Sequence, residues 1–141
     1  MKRDATDALF SELVRERADW TCEACGKVYP EGQRQGLHCS HFYGRRHRAT
    51  RWSEINAASH CFGCHQKLGG NPVVFARWIS KHLAELYGAN VPAALEEKHN
   101  SIAKITKKDK KEMNVHFRAE LKRLKELRAK GHAGRIEFVG W

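Results

Sequence analysis

The chain has 141 residues, with 26 Lys and Arg against 16 Asp and Glu, a formal net charge of +10 and a pI near 9.6. That length fits one compact domain and argues against two independent cores, and no apolar run is long enough to span a membrane. The excess of Lys and Arg favours a polyanionic partner, nucleic acid before a membrane surface, because those side chains displace the counterions condensed on phosphates.

Residues 4–19 predict a first helix, with Leu9, Phe10, Leu13 and Val14 at helical spacing and Asp4 or Thr6 as its cap. Trp20 leads into Cys22-Glu23-Ala24-Cys25, and Gly26 frees the backbone to turn. Residues 27–36 read as loop. A short strand is expected over Leu37–Tyr43, ended by Gly44, followed by an arginine-rich loop and by Ile55–Ala58 before Cys61-Phe62-Gly63-Cys64. Gln66 to Leu68 should begin a helix that Gly69-Gly70 cuts short. Asn71-Pro72 opens the next helix with a cap residue and a first-turn proline. Its buried face is Val74, Phe75, Trp78, Ile79, Leu83 and Leu86, and Gly88 stops it. A shorter helix is expected over 92–100. Thr106 with Asp109 starts a long one to about Lys130, striped by Met113, Phe117, Leu121 and Leu124. Between Lys104 and Lys130 stand eleven Lys or Arg and four acidic residues, a net of +7, so this helix and the arginine loop carry most of the charge excess. The tail, HAGRIEFVGW, reads either as an edge strand or as a segment that docks on a partner.

Four of the five cysteines form two CxxC pairs separated by 35 residues. Each CxxC turn presents two thiolates on one face, and two such knuckles complete a tetrahedron, so Cys22, Cys25, Cys61 and Cys64 are expected to hold one structural zinc. Reduced core thiols are the bland alternative. Cys39 reads as a packed apolar residue rather than a ligand, and His60 is an unneeded fifth candidate.

His41, Asn56 and His65 follow one another around this second pair in a telling order. The stretch SHFYGRRHRATRWSEINAASHCFGCHQKLGGN resembles the HNH, or ββα-metal, endonucleases, in which a histidine ends the first strand, an asparagine follows, and a His or Asn opens the helix. It is similar to the phage NinG (Rap) recombination nuclease family, and its interleaved cysteines resemble the endonuclease VII family. The likeness covers roughly residues 20–90. It implies an α+β, mostly helical chain: a first helix over 1–20, a zinc-stabilised ββα-metal core over 21–70, and a basic helical part over 71–141. It also implies a DNA endonuclease of phage recombination, acting on branched DNA such as D-loops or Holliday junctions; with neither a signal-like nor a spanning apolar run in the sequence, the expected place is the cytoplasm of a bacterium or of a cell infected by its phage.

On that resemblance His41 is the general base and His65 a ligand of one catalytic divalent cation. Asn56 either orients the base or fixes its loop. The NinG pattern places an aspartate where this chain has His38, and the neighbouring position used by other HNH enzymes holds Ser40. His38 is taken as the second ligand. Two imidazoles without a carboxylate suit manganese, nickel or cobalt at least as well as magnesium. Arg45, Arg46, Arg48 and Arg51 should border the scissile phosphate, whose oxygens a guanidinium fork binds in two-point fashion. A homodimer suits a substrate with two strands to cut. A general nicking or homing-type HNH enzyme and a non-catalytic zinc-knuckle DNA-binding protein are the rival readings.

Overall fold

In the computed structural model, which describes residues 1–141, the elements are α1 (Ala5–Arg17), β1 (Leu37–His41), a 3₁₀ turn (Glu54–Asn56), β2 (Ala57–Cys61), α2 (Phe62–Gly69), α3 (Pro72–Tyr87), α4 (Val91–His99) and α5 (Lys107–Ala129). About half the chain is helical, and β1 and β2 make one antiparallel pair with Leu37 opposite Cys61 and His41 opposite Ala57. The class is α+β, and no helix is long and apolar enough to cross a membrane.

Local chemistry sets most element ends. Asp4 accepts from the Asp7 backbone N–H while the Asp7 carboxylate accepts from that of Asp4, a reciprocal capping box repeated at α5 by Thr106 and Asp109. The helix α1 stops at Arg17, two residues before the expected end, because Asp19 and Trp20 turn into the left-handed region at φ +54° and +55°. Packing holds this conformation, unusual for a tryptophan: the ring is buried and Nε1–H donates to Glu16 at 2.8 Å. The helix α2 begins at Phe62 rather than Gln66. Cys61 ends β2 and also caps the helix, its Sγ accepting from the Cys64 N–H. In α3, Phe75, Ile79 and Leu83 are buried as expected, whereas Leu86 lies on the exposed side.

The main core joins Phe10, Leu13 and Val14 of α1 to Met113, Phe117 and Leu124 of α5, with Trp52, Ala57 and Phe138. The two helices run in the same direction, since Thr6 bonds Asn114 and Glu16 pairs with Arg128. The apolar stripe of α5 is therefore spent on α1. A second cluster gathers α2, α3 and α4 around Leu68, Phe75, Ile79, Leu83 and Leu95, and a third surrounds the cysteines. The tail forms no strand and folds back on its own chain: Phe138 enters the main core and the Trp141 N–H donates to the Trp52 carbonyl at 2.9 Å. Gly140 permits that approach, because a Cβ there would lie 2.7 Å from the Glu54 nitrogen and 2.8 Å from the Trp52 oxygen.

His60 sits in the middle of this frame, fully buried, its ring edge-on to Trp78 and Phe75, with neither ring nitrogen hydrogen-bonded. Burial pushes its pKa down from 6.5 to about 4. The fold therefore holds neutral a group that the unfolded chain protonates below pH 6.5. Its contribution to stability falls as the pH drops from 6.5 towards 4. His60→Leu removes both the unpaired nitrogens and this linkage. It should raise stability by about 1 kcal/mol near pH 7.5, and the gain should widen by about 2 kcal/mol at pH 5. Urea unfolding of the two zinc-loaded proteins at both pH values measures this, and a parallel fall in both would contradict it.

Candidate functional site

Two knuckles build the sulfur cluster. In the first, a bridge between Thr21 and Val28 closes the turn, Gly26 takes φ +80°, and its N–H donates to the Cys22 carbonyl. In the second, the β2–α2 junction presents Cys61 and Cys64. The ligand atoms of all four cysteines lie within 4.8 Å of one another, and Cys25 and Cys61 are 3.7 Å apart. Zinc–sulfur bonds of about 2.3 Å at tetrahedral angles require sulfurs ~3.8 Å apart, so the cluster fits zinc. The Cys64 backbone N–H pulls the Cys61 thiol down to about 7, towards the thiolate a metal takes. Cys39 lies elsewhere, packed against the main core, its thiol pushed up to about 11 by burial.

Glu23, inside the first knuckle, anchors it to three other parts of the chain. Its carboxylate accepts from the Ser59 N–H at 2.6 Å, from His82 at 3.0 Å and from Arg135 at 2.5 Å. Burial alone would raise its pKa, but His82 and the Arg17 and Arg135 charges hold it at about 2.

His38, His41 and His65 line one cavity of about 350 Å³, together with Arg3, Asp7, Arg15 and Arg45. His41 Nε2 lies 3.0 Å from the Arg51 backbone oxygen. A carbonyl only accepts, so Nε2 carries the proton and Nδ1 keeps its lone pair. Burial, and the charges of Arg45 and Arg51, lower the His41 pKa to about 4, so the ring is neutral near pH 7. His38 and His65 stack at 4.9 Å between ring centroids, and both are shifted downward by burial. The His38 Nε2 is buried without a partner. The Ser40 hydroxyl and His65 Nδ1 share a hydrogen bond of 2.6 Å. With Nδ1–H donating to Ser40, the Nε2 lone pair of His65 is left for a cation, the usual division of labour in a metal-bound imidazole. The two rings thus lie side by side, each with an Nε2 that makes no hydrogen bond to the rest of the chain.

The Asn56 side chain makes no hydrogen bond to His41. It is fully buried and pins both ends of the arginine loop, accepting from the Tyr43 N–H at 2.9 Å and donating to the carbonyls of Tyr43 at 2.9 Å and Thr50 at 3.0 Å. The next carbonyl, that of Arg51, holds His41. The loop distributes its arginines unequally. Arg45 lines the histidine cavity, and Arg46 and Arg48 are exposed. Arg51, expected at the phosphate, is buried at 4 % exposure and clamped by Asp7 at 2.9 and 2.5 Å. Its guanidinium thus faces inward, and its carbonyl is what serves the cavity. Asp7 and Arg15 come from α1 and Arg3 from the segment before it, all outside the motif, so no local signal in the sequence ties them to the cavity.

If the sulfurs hold zinc, Cys25→Ser should lose the metal and lower Tm by at least ~10 °C. Cys39→Ser should keep one equivalent. Zinc content by atomic emission, with a thermal melt, separates the two; equal zinc in both variants would contradict the assignment.

No curated protein and no solved structure matches the chain. The family described as Bacteriophage Lambda NinG protein matches residues 2–127, which take in α1, both cysteine pairs, the histidine cavity and all of α5 but its last two residues. The chain therefore belongs to the phage NinG family.

Proposed function

We propose that this chain is a metal-dependent endodeoxyribonuclease of the HNH, or ββα-metal, type that hydrolyses phosphodiester bonds of branched DNA in phage recombination. The observation that carries the reading is His41: neutral, fixed through Nε2–H, with a free Nδ1 lone pair in a cavity lined by cations and by two further neutral imidazoles. The order β1, β2, α2, with His41 ending β1 and His65 on α2, supports it, as does membership of the NinG family. The preference for branched DNA and the recombination role rest on the resemblance to that family.

His41 Nδ1 would take the proton of the attacking water as its oxygen bonds to phosphorus and the bond from phosphorus to the 3′ oxygen breaks. Arg45 and Arg3 would hold the phosphate oxygens in the cavity. Ser40 and Asn56 act one step back: Ser40 sets the tautomer of His65, and Asn56 fixes the loop whose Arg51 carbonyl orients His41. His38 and His65 would hold the divalent cation, which when bound neutralises charge on the phosphate and on the departing oxygen. Asp7 is taken by Arg51, so the donor pair is imidazole alone, a set suited to manganese, nickel or cobalt as well as magnesium.

His41→Ala should lower metal-dependent cutting about 10²- to 10⁴-fold with zinc content retained. The comparison uses linear duplex, single-stranded and four-way-junction DNA with each metal. DNA binding without cutting under any metal would leave a zinc-dependent DNA-binding protein, and equal cutting of linear duplex and junction would leave a general nicking enzyme.

A pH profile adds a second check. Arg45 and Arg51 help depress the pKa of His41, and an anionic phosphate entering the cavity opposes them. The acid limb of kcat/KM, which reports the free protein, should therefore fall well below pH 6.5. That of kcat should lie at higher pH. Coincident limbs, or a kcat/KM limb at 6.5 or above, would contradict this account.

A further inference from the structure

Six phenylalanines occur in the chain. Four are buried and Phe42 is partly buried, while Phe62 is 60 % exposed and belongs to none of the hydrophobic clusters. A lone exposed apolar residue is ordinary, but the mounting of this one is not. Phe62 stands between Cys61 and Cys64, inside the second knuckle, and its N–H donates to the Gly36 carbonyl at 2.9 Å. Its backbone is thus held on both sides by the sulfur cluster and from across the sheet. A Cβ on the next residue, Gly63, would meet nothing within 4 Å, so the surface there is open.

Its position relative to the cavity gives the ring a use. His65 follows at i+3 on the same face of α2. His38 stacks on His65 at 4.9 Å, and its ring centroid is 6.1 Å from that of Phe62. The His38 ring thus neighbours both the His65 ring and the solvent-exposed ring of Phe62. We propose that Phe62 is a stacking platform for an unpaired base of the strand whose phosphate lies at His38 and His65, and that it makes the site favour branched or locally opened DNA. This rests on the nuclease reading above and adds the feature of the substrate that the site senses.

The physical reason is the division between phosphate and base contacts. The arginines bind the phosphates of any DNA and do not register whether its bases are paired. In a closed duplex each base face is covered by its neighbours, and exposing one costs unstacking. At a branch point or in a single strand a face is free, and every base offers an equivalent one, so stacking selects structure without selecting sequence. A rigid backbone mount means that little loop freedom is lost on binding.

The test measures the ratio of affinities for a four-way junction and a linear duplex, using the full-length zinc-loaded chain with no added magnesium or manganese. Phe62→Ala and Phe62→Leu should lower the ratio about tenfold, and Phe62→Trp should keep it. A 2-aminopurine at the branch should be quenched by the wild type and by Phe62→Trp, and remain bright with Phe62→Ala and Phe62→Leu. A wild-type ratio in either the Ala or the Leu variant would overturn the proposal, the latter because leucine keeps apolar bulk without a π face. Should a variant lose its zinc, the unmodified protein decides: a branch 2-aminopurine left bright at saturation also overturns it. Because no cutting is required, a wild type that never cleaves DNA would sink the nuclease reading while the affinity ratio still decides on Phe62.

Discussion

Asp7 is 3 % exposed in a chain of net charge +10, and each of its carboxylate oxygens is matched. Oδ1 accepts from Arg51 Nε at 2.9 Å and from the Trp52 indole at 3.2 Å; Oδ2 accepts from Arg51 Nη2 at 2.5 Å and from the Asp4 N–H at 2.9 Å. Two charges withdrawn from water recover their desolvation cost only with geometry of this quality, and removing one partner of such a pair typically costs about 3–5 kcal/mol. The consequence reaches past stability. The pair fastens α1 to the end of the arginine loop, places Trp52 in the main core, and fixes the Arg51 carbonyl that holds His41. A helix outside the ββα segment therefore sets the orientation of the candidate base.

The sulfur cluster anchors the opposite side. It joins a loop near residue 25 to the β2–α2 junction, and Glu23 extends the joint to β2, α3 and the tail through Ser59, His82 and Arg135. Arg17 performs a similar task between these anchors: its guanidinium donates to the carbonyls of Glu54 at 2.7 Å and Ala57 at 2.6 Å, and lies over Phe138. The small two-stranded sheet would be marginal by itself. Here α1, α2 and the tail brace it, so its histidines gain a rigid backing without a large sheet.

What the sequence made legible was local. The capping residues at Asp4, Asn71 and Thr106 marked helix starts within a residue, because each cap needs only a neighbour three positions on. The CxxC turns and most of the helical stripes of α3 and α5 are local in the same sense, whereas β1, expected to run to Tyr43, ends at His41 where its pairing with Ala57 ends. The histidines of the motif do meet in one cavity. What stayed hidden depended on partners far away in the chain. Arg51 reads as a phosphate contact from the sequence because its partner, Asp7, lies 44 positions upstream in another element, where it also completes the capping box of α1. The tail reads as an edge strand or a docking segment because its actual acceptor is a backbone carbonyl, that of Trp52. The start of α2 was misjudged by four residues because a cysteine sulfur, an unusual N-cap, accepts the first-turn N–H.

These buried pairings also change what the net charge means. Arg17, Arg51 and Arg135 are committed to backbone carbonyls or carboxylates inside the chain, and Lys110 to Asp4, so part of the charge excess holds the fold together and cannot meet a phosphate without undoing it. The exposed cations left over include Arg46 and Arg48 of the loop and Lys107, Lys108 and Lys111 at the start of α5. The salt dependence of DNA binding counts phosphates neutralised and not residues of basic type. On the proposed function it would follow the exposed cations, together with Arg45 and Arg3 in the cavity. Within the loop, Asn56 fixes the register that turns Arg46 and Arg48 outward while Arg51 turns into the core. The backbone geometry of eight residues, more than their composition, decides which arginines face outward.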